Sequence, residues 1–99
     1  MEVHVQYQKM KTSEALNGLL MKKLDKLGEK YSWIIKANVL FKMENVKSGD
    51  DKICEIELSA PGPRLFAKSR TNDFEKSMAE TVEDLRRQLK KRQSTFASH

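Results

Sequence analysis

From Asp73 to Gln93 the chain reads as one long amphipathic helix, D-F-E-K-S-M-A-E-T-V-E-D-L-R-R-Q-L-K-K-R-Q. Phe74, Met78, Val82, Leu85 and Leu89 recur every three or four residues, which places them on one helical face. At about 1.5 Å per residue such a helix is on the order of 30 Å long, the width of a small domain. A chain of 99 residues makes one small domain that can bury one two-layer core and little more. Charge is ordered along the same segment. Asp73, Glu75, Glu80, Glu83 and Asp84 come first, and Arg86, Arg87, Lys90, Lys91 and Arg92 follow. Docking requires the apolar face alone, so the cations serve either the helix dipole or an anionic partner. The dipole stabilises a cation by roughly 0.3–1 kcal/mol within the last turn. With an end near Gln93 this accounts for Lys90 to Arg92 better than for Arg86 and Arg87. Spacing also allows Glu83–Arg87 and Asp84–Arg87 pairs within the helix.

The remaining elements follow from period. Met1 to Gln8 alternates, with Val3, Val5 and Tyr7 on one side, and reads as a half-buried strand. A first helix is expected from about Ser13 to Lys30, with Thr12 or Ser13 as N-cap and Leu16, Leu19, Leu20, Leu24, Leu27 and Tyr31 as its stripe. Ile34 to Glu44 forms a second strand with Ala37, Val39, Phe41 and Met43 on one face. A hairpin with Ser48-Gly49-Asp50 at its tip leads to a third strand from Lys52 to Ser59, with Cys54, Ile56 and Leu58 inward. Ala60-Pro61-Gly62-Pro63 breaks the chain before a fourth strand, R-L-F-A-K-S-R, whose Leu65, Ala67 and Ser69 meet helices. Thr71, Asn72 and Asp73 offer N-caps for the long helix.

The order β-α-β-β-β-α gives an α+β class. Its economical packing is a four-stranded mixed sheet with two helices on one face and the other face open. Residues 1–93 are expected to form a single domain, and S-T-F-A-S-H, residues 94–99, a flexible tail.

Composition narrows the function. Apolar residues make up 38% and charged residues 33%, with a net charge of +5, which favours association with an anionic surface. The single Cys54 allows no internal disulfide and reads as a small buried hydrophobe. His4 and His99 lie far apart, so no metal or cofactor is expected. Neither a signal peptide nor a membrane span is legible, and the expectation is a soluble cytoplasmic protein. No nucleophile elbow, phosphate loop or catalytic pair stands out, which argues against an enzyme.

The cations are better organised than the carboxylates. Lys22, Lys26 and Lys30 stand four apart on the first helix, flanked by Lys23, while Arg86–Lys90 and Arg87–Lys91 repeat that spacing on the second. Two such ridges on one side of a sheet would form a groove or stripe for phosphates. The candidate RNA-binding set is thus Lys22, Lys23, Lys26, Lys30, Arg86, Arg87, Lys90, Lys91 and Arg92. Arg64, Lys68, Arg70, Lys36 and Lys42 share the outward strand parity with Phe66. Phosphate and shape contact is favoured over base reading, because the aromatic strand signatures of an RNA-recognition motif are missing.

Over nearly its whole length the chain resembles the ribosome hibernation promoting factors, also called ribosome-associated inhibitors. The resemblance is carried by T-S-E-A-L-N-G-L-L-M-K-K-L-D-K-L, by V-L-F-K-M-E, and by A-K-S-R-T-N-D-F-E-K-S-M-A-E-T-V-E-D-L-R-R-Q-L-K-K-R. It implies a shape like that of double-stranded-RNA-binding domains and a role without catalysis. It further implies binding to the small ribosomal subunit under stress or in stationary phase, blocking messenger and transfer RNA, by a protein monomeric off the ribosome. Ending just after the second helix, the chain looks like the short form. Two other readings fit the residues: a generic module for structured RNA, and a protein–protein adaptor using the open sheet face.

Overall fold

The structure, a computed structural model, describes residues 1–47, 49 and 51–97. Its elements are β1 (Glu2–Gln8), α1 (Glu14–Lys30), β2 (Lys36–Met43), β3 (Lys52–Ser59), β4 (Leu65–Thr71) and α2 (Phe74–Ala97). The strands lie in the order β1-β2-β3-β4. β1 runs parallel to β2, with Val3 opposite Ala37 and Tyr7 opposite Phe41. The other two pairings are antiparallel. This is the mixed four-stranded sheet that the alternating apolar residues imply. The expected hairpin tip includes Ser48 and Asp50, which lie outside the described residues.

Both helices contribute to one core on one side of the sheet. Leu20 and Leu24 of α1, Phe41 of β2, Ile56 and Leu58 of β3, and Leu85 and Leu89 of α2 are each 0% exposed. Burial of such a side chain stabilises by about 1.5–3 kcal/mol. Aromatic rings tie the layers together. Tyr7 stacks on Phe41 at 5.3 Å, and Phe41 meets Phe74 edge-on at 5.9 Å. The Tyr7 hydroxyl lies 2.9 Å from the Ser13 carbonyl and 2.8 Å from Asn17 Oδ1, donating to one of them at a time. It joins β1 to the start of α1, where Ser13 Oγ accepts from the Leu16 N–H as the N-cap.

The α2 stripe contains two hydroxyls that the apolar periodicity passes over. Ser77 and Thr81 are both fully buried. Ser77 Oγ donates to the Lys52 carbonyl at 2.7 Å, and Thr81 Oγ1 lies 3.2 Å from the Cys54 carbonyl and 2.8 Å from that of Ser77. Small polar side chains here bring α2 close to β3 while leaving no unmatched hydroxyl. Cys54 is buried as expected, and burial pushes its thiol up to about 12.

One expectation needs correction. Helix α2 runs past Gln93 to Ala97, so residues 94–97 are helical. Phe96 lies one heptad beyond Leu89 and meets Trp33 edge-on at 5.0 Å; Trp33 in turn meets Tyr31 at 5.9 Å. On the open sheet face Ile53 is also fully buried. It stands in register between Lys42 and Arg70, and both of those cations meet Glu44, at 2.9 and 2.7 Å.

Candidate nucleic-acid interface

Helices α1 and α2 pack side by side, and their apolar stripes diverge toward solvent to leave a groove of about 480 Å³. Its floor is apolar: Leu19 and Leu27 from α1, Ala79 and Val82 from α2. Its rim carries Lys22, Lys23, Lys26, Lys30, Glu83 and Arg86. Along α1 the row Lys22, Lys26, Lys30 advances by about 6 Å per step. Lys30 also lies 5.7 Å from the Tyr31 ring centroid, a cation–π distance.

Five of the nine expected cations therefore share one groove. The rest are distributed around α2. Arg87 and Lys90 are exposed and stand outside this groove, although Lys90 lies one turn beyond Arg86. Lys91 and Arg92 border a depression on the other flank with Pro61, Pro63 and Phe96. Arg92 is half-buried, and its Nη1 donates to the Pro61 and Pro63 carbonyls at 3.3 and 2.5 Å. Gly62, between those prolines, has a φ of +96°, and an added Cβ would lie 3.5 Å from the Arg92 guanidinium. The A-P-G-P turn thus needs glycine for its backbone, while an added Cβ would only touch the guanidinium at ordinary contact distance. Arg92 occupies the stripe position three residues after Leu89, which is why it reaches the loop and not the lysine row.

The dipole explanation of the basic cluster loses its footing. With α2 ending at Ala97, its last turn contains no basic residue. Lys90, Lys91 and Arg92 stand outside the turn where a C-terminal dipole acts. Intrahelical pairing differs as well. Glu83 pairs with Arg86 at 2.9 Å, not with Arg87, and Asp84 Oδ1 accepts from Gln88 at 3.3 Å. Gln88 also donates to the Phe66 carbonyl at 2.9 Å, fastening α2 to β4.

The two faces of the domain differ in how their charge is balanced. On the open sheet face, Arg64 meets Glu57 at 3.1 Å, Lys68 meets Glu55 at 3.7 Å, and Lys42 and Arg70 share Glu44. Hydrogen bonds from Lys42 and then Arg70 hold the Glu44 carboxyl down at about 2. On the helix face, Lys22, Lys23, Lys26, Arg87, Lys90 and Lys91 have no carboxylate partner among the described residues. Four of the five outward strand cations, all but Lys36, are thus neutralised within the protein, whereas those six helix cations keep no carboxylate partner among the described residues. Phe66 is 50% exposed beside Glu55, Glu57 and His4, and those two carboxylates are paired with Lys68 and Arg64 on either side of it.

The apolar floor of the groove was not read from the sequence as part of a site. Leu19 and Val82 fit the stripes and pass for core, yet both are only half-buried. The available signal was their place at the edges of their stripes, with the small Ala79 next to Val82 on the same flank. Among the described residues, no helix is long and apolar enough to cross a membrane and no metal-binding cluster occurs.

Similarity searches bear on the same layout. A ribosomal subunit interface protein from Coxiella burnetii superposes with a TM-score of 0.84 at 23% identity, covering 95% of this chain and 99% of that one. The N-terminal domain of Protein Y from Thermus thermophilus superposes with a TM-score of 0.77 at 20% identity, covering 92% and 98%. At these identities the likeness establishes the fold. A search of curated proteins gives no match. The model of one protein family spans residues 3–95, from β1 through most of α2. The chain thus belongs to the sigma 54 modulation protein / S30EA ribosomal protein family, within which the resemblance to hibernation factors falls.

Proposed function

We propose that this protein binds the small ribosomal subunit through its helix face and holds the ribosome idle by occluding messenger and transfer RNA. The observation that carries this reading is the division of charge. Lys22, Lys23, Lys26, Arg87, Lys90 and Lys91 of the helix face lack a carboxylate partner among the described residues, while Lys42, Arg64, Lys68 and Arg70 of the sheet face are paired with Glu44, Glu57 and Glu55. An unpaired row of cations on rigid helices suits a phosphate backbone. Membership in a family of ribosomal proteins supports ribosomal RNA as that anionic partner.

In this reading Lys22, Lys23, Lys26, Lys30 and Arg86 make the central contacts. Arg87 and Lys90 extend them along the exposed side of α2, and Lys91 touches RNA at the far flank. Arg92 contributes mainly by fixing the A-P-G-P turn. Inhibition in this reading is steric, takes place in the cytoplasm and needs no bond-making step by the protein.

Co-sedimentation with purified small subunits tests this surface. Reversing Lys22, Lys26, Arg86 and Lys90 to glutamate should abolish binding while circular dichroism stays unchanged. Wild-type affinity should fall with salt by a log–log slope of about 0.7–0.9 per phosphate neutralised. Undiminished binding by the folded variant would exclude the helix face. Equal wild-type affinity for an unrelated RNA duplex would favour a generic structured-RNA module.

A further inference from the structure

The α1–α2 groove has a feature that phosphate binding does not require, namely an apolar floor beneath its cations. A duplex backbone resting on the two ridges would meet the lysines and leave Leu19, Ala79 and Val82 facing water. Apolar surface gains by being covered, so the groove suits an anionic ligand that also carries a flat apolar part. We propose that it holds a nucleobase from a single-stranded RNA segment, with the neighbouring phosphates along Lys22, Lys26 and Lys30 and the base against Leu19, Ala79 and Val82.

The proposal rests on the reading that this face meets RNA, and it narrows that reading to an unpaired strand. Three observations support it. The lysine row advances by about 6 Å per step, of the same order as the separation of successive phosphates along one strand. The groove, at about 480 Å³, falls within the range of small-ligand sites. Among the described residues its only carboxylate, Glu83, is already paired with Arg86. An aliphatic floor offers no hydrogen-bond code, so the site accepts any base, in keeping with phosphate-led recognition.

An acidic lipid also combines a phosphate with an apolar part, but the relief of the surface argues against it. A helix that docks on a bilayer presents apolar residues as its crest. Here the lysines form the crest, and Leu19 and Val82 lie half-buried below them.

The test uses the full chain and four probes: a short uridine oligomer, an abasic oligomer with the same number of phosphates, an RNA duplex of the same length, and phosphatidylglycerol vesicles. Wild type should bind the uridine oligomer roughly tenfold more tightly than the abasic one, the effect of covering part of the apolar floor with one base. Ala79→Gln places a neutral, helix-compatible side chain in the groove from an exposed position. It should erase that tenfold difference while duplex affinity, salt slope and melting temperature stay unchanged. Equal binding of uridine and abasic oligomers by wild type would overturn the proposal. So would an intact difference in Ala79→Gln, or vesicle binding tighter than uridine binding. Failure of the ribosome reading looks different: small-subunit binding would be lost or unspecific while the uridine preference persisted.

Discussion

Arg86 Nη2 lies 2.9 Å from Glu83 Oε2, one turn back on α2, and Arg87 beside it has no carboxylate partner among the described residues. This one pair restrains the arginine that faces the lysine row across the groove. An exposed i,i+3 pair of this kind contributes only about 0.2–0.5 kcal/mol. Glu83→Gln should therefore leave the melting temperature almost unchanged and tighten RNA binding, because Arg86 is released and one negative charge leaves the rim. Fluorescence anisotropy at low salt reads the gain, which should shrink as salt rises. Unchanged or weaker binding would show that Arg86 is not a contact.

The buried hydroxyl of Thr81 lies 2.8 Å from the Ser77 carbonyl of its own helix and 3.2 Å from the Cys54 carbonyl of the sheet, donating to one of them at a time. Thr81→Val keeps the shape and removes the donor. It should cost about 1–2 kcal/mol in urea unfolding with small-subunit affinity unchanged. A loss of binding without a loss of stability would contradict a purely structural role.

Phe96 against Trp33 fixes the end of α2. The chain has a single tryptophan, so its emission reports on this contact directly. Phe96→Ala should red-shift that emission and destabilise by about 0.5–1.5 kcal/mol. An unshifted spectrum would mean that the last turn does not hold Trp33.

Acid should act on the sheet face through Glu44. Its carboxyl is held at about 2, below the ordinary 4.5, by Lys42 first and Arg70 second. A depressed carboxylate contributes stability that is fully present above its ordinary value and fades as pH falls toward 2. Carboxyl NMR should find Glu44 still ionised at pH values where free glutamate is protonated. Arg70→Gln should move its titration upward, and an unmoved midpoint would contradict the pairing.

Much of the fold is legible in the sequence because period alone decides it. The alternation in C-E-I-E-L puts Cys54, Ile56 and Leu58 inward, and Ser13 before a leucine stripe marks the start of α1. The end of α2 was harder to read. Phe96 continues the stripe from Leu89, but the positions between them hold Arg92 and Gln93, so the pattern looks finished. Arg92 then passes for part of the basic ridge, although it stands on the stripe and serves the Pro61–Pro63 turn. Ile53 has solvent parity and is buried by what its neighbouring strands carry, which no single strand reveals. The charge division is likewise tertiary. Arg64, Lys68 and Arg70 look as available as Lys22 until the register sets Glu55, Glu57 and Glu44 within reach of them.

Occlusion is the central claim, and competition on the ribosome tests it most directly. Labelled protein bound to purified small subunits is titrated with messenger RNA and transfer RNA, and its occupancy is followed by sedimentation. The account predicts displacement, with the apparent Kd of the protein rising in proportion to the competing ligands. Stable co-sedimentation of protein, messenger RNA and transfer RNA on the same subunits at undiminished occupancy would contradict it.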